Sequence, residues 1–394
     1  MNYNELIAQI KNIANFVANG TVVRDNRTFN GHPAFYLVHS EQEFNNELKS
    51  VVIKKEQYDR YDLFYYTNYM FKFMLNKYDS HTKMLFLDNK YLPIKIRLFD
   101  GKPYIVDSVK NIEYIKGAKI LKINGINIED VLKELDKIIC YSSYDFLKVK
   151  LEDWMININI IMSLPIMRRT HNVTFLTDKG EIEFNPENLE EYKDNSIKPN
   201  YSLDVVDKTA IITYNSCNDE EKMINLIDKL RKTNITNYVV DLRGNGGGNS
   251  SINRHLIEFL KGKKVVVLCD ERVFSSARMC LIDLKNIGAR IIGTNPGTPI
   301  SCFGNCVMQQ KLENMNLKVL GSATYWYYDE NLQCHGIYKE NFEDAIKQFP
   351  HLFDPVYFNV DDKVELTLED YLNGDDSVLE YALSCFDKSK CRLY

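Results

Sequence analysis

The sequence predicts an α/β fold: a layered core of parallel strands and helices, preceded by a helical region and a small β-rich module. Three observations carry this. Long helix-period apolar stripes fill residues 1–90. Strand-like alternation with tight turns fills residues 91–138. From about Tyr201, apolar strand runs alternate with amphipathic helix patterns, the repeat that builds a parallel sheet. The expected division is therefore a helical domain (1–90), a β-rich module (91–138) and an α/β core with a C-terminal tail (139–394).

The elements follow in order. Leu6, Ile10, Ile13 and Val17 share one helical face, and Gly20 is a stop signal. "SEQE" at Ser40–Glu43 has capping-box form ahead of Phe44, Leu48 and Val51. "RYDLFYYTNYMFKFMLNKY" is a further helix whose aromatic stripe reads as core. Then "LPIKIRLFDGKPYIVDSV" alternates and turns at Asp100-Gly101. "GAKILKINGINIEDVLKEL" turns at Asn124-Gly125 and runs into a short helix. "FLKVKLEDWMININIIM" is helical, and "VTFLTDKGEIEF" is a hairpin. The core begins with the strand "TAIITY" and the helix "EEKMINLIDKLRKT". The strand "NYVVDL" enters "RGNGGGNS", followed by the helix "SINRHLIEFLKG". The strand "KKVVVLC", a helix from Ser275 and the strand "ARIIG" complete it.

Composition narrows the function classes. The chain has 394 residues, 45% of them apolar, which is enough for a large core. The net charge is −5 with acids and bases intermixed, and no basic stripe suggests nucleic acid. No apolar run is long enough to cross a membrane, and the N-terminus lacks signal-peptide form. Nine scattered cysteines read as small buried residues in a reducing compartment, so the expected location is the cytoplasm. Cys302 and Cys306 are the only close pair, and no metal site or cofactor is expected.

The chemistry concentrates at two places. The glycine run after "VVDL" lets backbone N–H groups approach a ligand closely. It lacks the Lys-Ser/Thr of a P-loop and the GxGxxG spacing of a dinucleotide site. Ser275 stands at the start of the next helix but one, where N–H groups and the positive dipole end favour a developing oxyanion. A cap and a nucleophile predict the same local structure there. A serine nucleophile needs a base. His81, in "YDSHT", and His255, in the helix after the glycine loop, are candidates that composition does not separate.

Together, "VVDLRGNGGGNS" and "RVFSSARMCLIDLKNIGARIIGT" resemble the C-terminal-processing (tail-specific) serine peptidase family, which includes tricorn-like members. "YDSHT" resembles the family's Asp-x-His-Thr/Ser segment, and "GAKILKINGINIEDVL" half of its PDZ-like module. "LTLEDYLNGDDSVLEYAL" resembles its C-terminal tail. The resemblance implies a crotonase/ClpP-like layered core with an N-terminal helical domain and a PDZ-like module at 91–138. It also implies cleavage or trimming of polypeptides through an acyl-enzyme.

Ser–Lys members carry a lysine where this chain reads "GTNPGTPISCFGN", so the resemblance favours the Ser–His variant. It assigns Ser275 as nucleophile and His81 as base, with the N–H groups of Gly247 and Ser276 as oxyanion donors. The Ser276 hydroxyl is dispensable in that reading. The acidic partner stays open among Glu330, Asp329 and Asp79. The expected partner is a polypeptide substrate, with a homo-oligomer built on the aromatic N-terminal helices as a further option. Two other readings remain: a peptide-binding pseudoenzyme of the same fold, and an acyl-CoA enzyme.

Overall fold

The computed structural model describes residues 1–194, 197–348 and 353–386. The fold is mixed α/β, as the sequence predicts, and the chain forms two compact units. One comprises residues 1–192 and 301–356, the other residues 193–300 and 357–394. This grouping follows packing rather than local texture. The N-terminal helices, the strands of 91–138 and the helices of 144–163 share one apolar core.

In the first unit the helix Tyr3–Asn19 opens with a capping box between Asn2 and Glu5. Leu6, Ile10, Ile13 and Val17 are buried on its inner face. Ser40 and Glu43 make a second capping box before the helix Glu41–Val51. The helix Arg60–Leu75 is buried nearly all round, so its aromatic residues are core.

The strand Lys83–Phe86 pairs antiparallel with Leu317–Gly321, which pairs in turn with Met308–Leu312. This partner lies far along the chain, beyond the reach of local patterns. Ile94–Phe99 and Lys102–Ser108 form the expected hairpin, with Asp100 (φ 51°) and Gly101 (φ 72°) at its turn. The expected hairpin Val173–Thr177/Gly180–Phe184 joins Ile120–Ile123 and Ile126–Asn127 in one four-stranded antiparallel sheet. The β-rich region thus takes in residues well past 138.

The second unit is built on a six-stranded sheet. Its order is Leu203–Val206, Thr209–Thr213, Asn237–Asp241, Lys264–Cys269, Arg290–Gly293 and Asp362–Lys363. The first pair is antiparallel and all others are parallel. Its inner strands are apolar on both faces, as a covered parallel sheet requires. Ile211, Val239, Val266, Leu268 and Ile292 pack against Val378 and Ala382 of the helix Ser377–Ser384. Asp241 is in register with Leu268. The loops after these two neighbouring strands therefore leave the same edge of the sheet. No described helix is long and apolar enough to cross a membrane.

Candidate active site

The glycine loop and Ser275 lie in the second unit, and the sequence logic that groups them holds at atomic detail. Asn245 is fully buried and ties the loop together. Its Nδ2 donates to Tyr214 O (2.7 Å), its Oδ1 accepts from Gly247 N (2.9 Å), and its carbonyl accepts from Phe274 N (3.0 Å). Cys217 N donates to Gly247 O at 3.0 Å, which secures the other side of the loop.

Two glycines here have physical necessity. Gly247 has φ +98°, and a Cβ on it would lie 2.8 Å from both Ser275 Cβ and Ser276 N. Gly248 has φ +140°, and a Cβ on it would lie 2.3 Å from Cys217 O. Only residues without a side chain let the three segments close.

Ser275 sits at φ 55° and ψ −123°, a backbone state that L-residues rarely adopt. It occupies the N-cap position of the helix Ser276–Asn286, yet its side chain makes no capping hydrogen bond. Ser275 is half-buried, and its hydroxyl is not used to start the helix. The neighbouring serine differs. Ser276 is buried, and its Oγ donates to Gly248 O at 2.7 Å. Its carbonyl accepts from Asn253 Nδ2 at 2.9 Å. The Ser276 hydroxyl therefore has a structural task that the sequence did not suggest.

Arg243 anchors the loop from behind. Its Nε and Nη2 reach Asp241 at 2.9 and 2.7 Å, while Nη1 and Nη2 reach the two oxygens of Asp376, both at 2.8 Å. Asp376 also caps the helix Ser377–Ser384 through Leu379 N. Asp270 accepts from Gly244 N and Arg272 N, each at 3.0 Å. Burial and the nearby Glu271 push its carboxyl up to about 6, against those hydrogen bonds.

His81 and the acidic candidates lie in the first unit. His81 is 7% exposed, and Asp79 is completely buried. Asp79 Oδ1 accepts from the His81 backbone N–H at 2.7 Å and stands 3.7 Å from His81 Nδ1. Asp79 Oδ2 accepts from Thr82 Oγ1 and lies 3.1 Å from His32 Nε2. Burial alone would raise this carboxyl; its interactions with His32, then His81 and Thr82, hold it well below the usual carboxylate range. Gly304 borders the imidazole: a Cβ there would lie 3.8 Å from His81 Cε1, an ordinary contact distance. Ser80, between the two, turns its hydroxyl to Ser142 Oγ at 2.7 Å.

The other acidic candidates are placed differently. Asp329 closes the turn between the strands Thr324–Tyr328 and Cys334–Ile337, accepting from Asn331 N, Gln333 N and His335 Nε2, each at 2.9 Å. Glu330 is exposed at the same turn. Of the three, Asp79 is the one whose carboxylate faces His81. His255 pairs with Glu220 at 2.6 Å on the adjacent helix. Sequence reasoning did not identify Asn245, Asp376 or His32. Asn245 was visible as the non-glycine inside "RGNGGG"; the other two carry no local signal.

The sequence profile of Peptidase family S41 matches residues 208–258. No curated protein sequence matches. Among solved structures, mature CPAF complexed with lactacystin is similar over 99% of this chain and 98% of its own, with TM-score 0.61 and 11% identity. Mature CPAF is similar over 98% and 96%, with TM-score 0.58 and 11% identity. The photosystem II D1 C-terminal processing protease covers 92% of each chain at TM-score 0.44 and 9% identity.

Proposed function

We propose that the chain is a serine endopeptidase that cleaves or trims polypeptides through an acyl-enzyme, a reading supported by the match of residues 208–258 to the profile of Peptidase family S41. The observation that carries the reading is Ser275 itself, at positive φ on a helix start with a hydroxyl that does not cap. A nucleophile on a strained turn before a helix presents its oxygen outward and sets it at the helix's positive end.

In this reading Ser275 attacks the peptide carbonyl. His81 takes the serine proton and returns it to the leaving amine. The N–H groups of Gly247 and Ser276 bind the oxyanion. Water activated by His81 then hydrolyses the ester. Asp79 is the acidic partner, in preference to Glu330, because its carboxylate lies beside His81 Nδ1. The finer architecture belongs to the same proposal: a crotonase/ClpP-like core, a PDZ-like module at 91–138 and cytoplasmic location.

One observation favours the alternative, a catalytically weak or inactive peptide-binding protein of the same fold. The Gly247 N–H donates to Asn245 Oδ1. It can bind an oxyanion only after exchanging that acceptor.

A fluorophosphonate probe separates the two. Labelling of the wild type that is lost in Ser275→Ala and His81→Ala, but kept in Ser276→Ala, supports the peptidase. Peptide cleavage should fall at least ~10³-fold in Ser275→Ala. A folded wild type that takes no label supports the alternative, and label retained by Ser275→Ala means the nucleophile is another residue.

A further inference from the structure

His32 is 1% exposed and is held on every side. The preceding Gly31 has φ +91°, and a Cβ there would lie 2.3 Å from Ala18 O. His32 N donates to Val17 O at 2.7 Å, so the C-terminal end of the helix Tyr3–Asn19 fixes its backbone. Pro33 restricts its backbone to extended conformations. The ring packs on Phe303 with centroids 4.7 Å apart, and Phe303 precedes Gly304, which borders His81.

The ring nitrogens have distinct tasks. Nδ1 accepts from Ala34 N at 3.0 Å, so the proton of the neutral ring is on Nε2. Nε2 then donates to Asp79 Oδ2 at 3.1 Å. Asp79 thus receives three donors: His32 Nε2, the His81 main chain and Thr82 Oγ1. Among the side chains that meet this carboxylate, His32 comes from the most distant part of the chain, 47 residues upstream.

We propose that His32 is a positioning residue for His81, holding the Asp79 carboxylate so that Oδ1 faces the His81 imidazole. The proposal rests on the reading of His81 as the base. It makes the N-terminal region part of the catalytic apparatus. Without the His32 donor, burial favours a neutral Asp79, and His81 loses the negative charge that stabilises its protonated state. Lys83, Cys140 and Cys306 also lie within electrostatic reach of Asp79 and remain in every variant below.

The test uses the full chain with three substitutions. His32→Phe keeps a ring and removes both nitrogens. His32→Asn keeps an acceptor for Ala34 N and removes the donor to Asp79. His32→Gln restores a donor to Asp79. Activity on a peptide substrate is measured per fluorophosphonate-labelled Ser275, so that a misfolded fraction drops out. In His32→Phe and His32→Asn, kcat should fall roughly tenfold to a hundredfold with KM nearly unchanged, part of what a general base supplies. The acid limb of their kcat/KM profile should move to lower pH. His32→Gln should recover most of kcat and the wild-type limb. Wild-type kcat and limb in His32→Phe and His32→Asn would overturn the proposal while leaving the peptidase reading intact. Equal losses in all three variants with an unmoved limb would reduce His32 to a packing residue. A wild type without label would instead remove the reading beneath it.

Discussion

Two regions hold the candidate chemistry, and they are built by opposite means. Around Ser275 the determinants are main chain: glycines at positive φ, a serine in a strained backbone state, and carbonyls and N–H groups joined at close range. Around His81 the determinants are side chains: a buried carboxylate, two imidazoles and a hydroxyl in one network. A backbone-built region fails when an atom is added. A side-chain network fails when a proton or a donor is changed. The two regions should therefore respond to different perturbations.

The largest effect that breaks this contrast is expected at Gly247. In Gly247→Ala the new methyl meets Ser275 Cβ, Ser276 N and Phe274 O, all within 2.9 Å, and the backbone stays at φ +98°. Both costs fall on the loop, so stability should drop by about 1–3 kcal/mol. Probe labelling of Ser275 should fall far more than stability does, because a shift of about 1 Å in a reacting group can cost two orders of magnitude in rate. Labelling rates at a temperature where the variant is fully folded check this. Labelling at the wild-type rate would show that the loop does not shape the Ser275 environment.

The counterpart in the other region is Asp79→Asn, which adds no atom. The amide offers one acceptor oxygen where the carboxylate had two, so an NH2 must face a donor. The cost is about 1–3 kcal/mol at neutral pH. The sign of the pH dependence follows from a folded pKa held below the unfolded value of 3.8. The wild-type carboxylate contributes stability above that value, and the contribution is lost as pH falls through the folded pKa. Urea unfolding of both proteins from pH 7 to 3 should show the gap between them narrowing below about pH 4. A gap that is constant with pH would mean that Asp79 is not held as an anion.

The same contrast explains what the sequence made legible. The glycine run, the helix start at Ser275 and the parallel strands between them are local patterns. Adjacent parallel strands bring their following loops to one edge, so Gly247 and Ser275 could be grouped from order alone. The capping box at Ser40 and the turns at Asp100-Gly101 and Asn124-Gly125 are equally local. The surroundings of Asp79 were not legible. Asp79 was one acid among several, and His32 reaches it only through tertiary packing on Val17, Ala18 and Phe303. The pairing of Lys83–Phe86 with Leu317–Gly321 is hidden for the same reason. The task of the Ser276 hydroxyl was missed because a hydroxyl at a helix start reads first as a cap or a nucleophile, not as a clasp on a neighbouring loop.

That clasp gives a smaller effect within the backbone-built region. Ser276→Ala removes the bond from Oγ to Gly248 O and leaves that carbonyl without its hydroxyl donor. A loss of about 1 kcal/mol is expected by chemical denaturation. Labelling should slow only a few-fold, since the main-chain N–H of residue 276 is kept. A loss as deep as that of Ser275→Ala would show that the Ser276 hydroxyl takes part in the reaction.

The smallest effect is expected at Glu330, and it decides which acid serves His81. Glu330 is exposed in a turn whose closure is already performed by Asp329, through Asn331 N, Gln333 N and His335. A substitution at an exposed position outside such a network changes stability by no more than about 0.5 kcal/mol. Glu330→Gln should therefore leave the unfolding midpoint, the labelling rate and the pH profile unchanged. Asp79→Asn should lower kcat by about 10²–10⁴-fold, the range for losing the partner that orients a catalytic histidine. The reverse pattern, with activity lost in Glu330→Gln and retained in Asp79→Asn, would require the hairpin turn to supply the acid. The buried network of Asp79, His32 and Thr82 would then be a structural device for holding residues 79–82 in place.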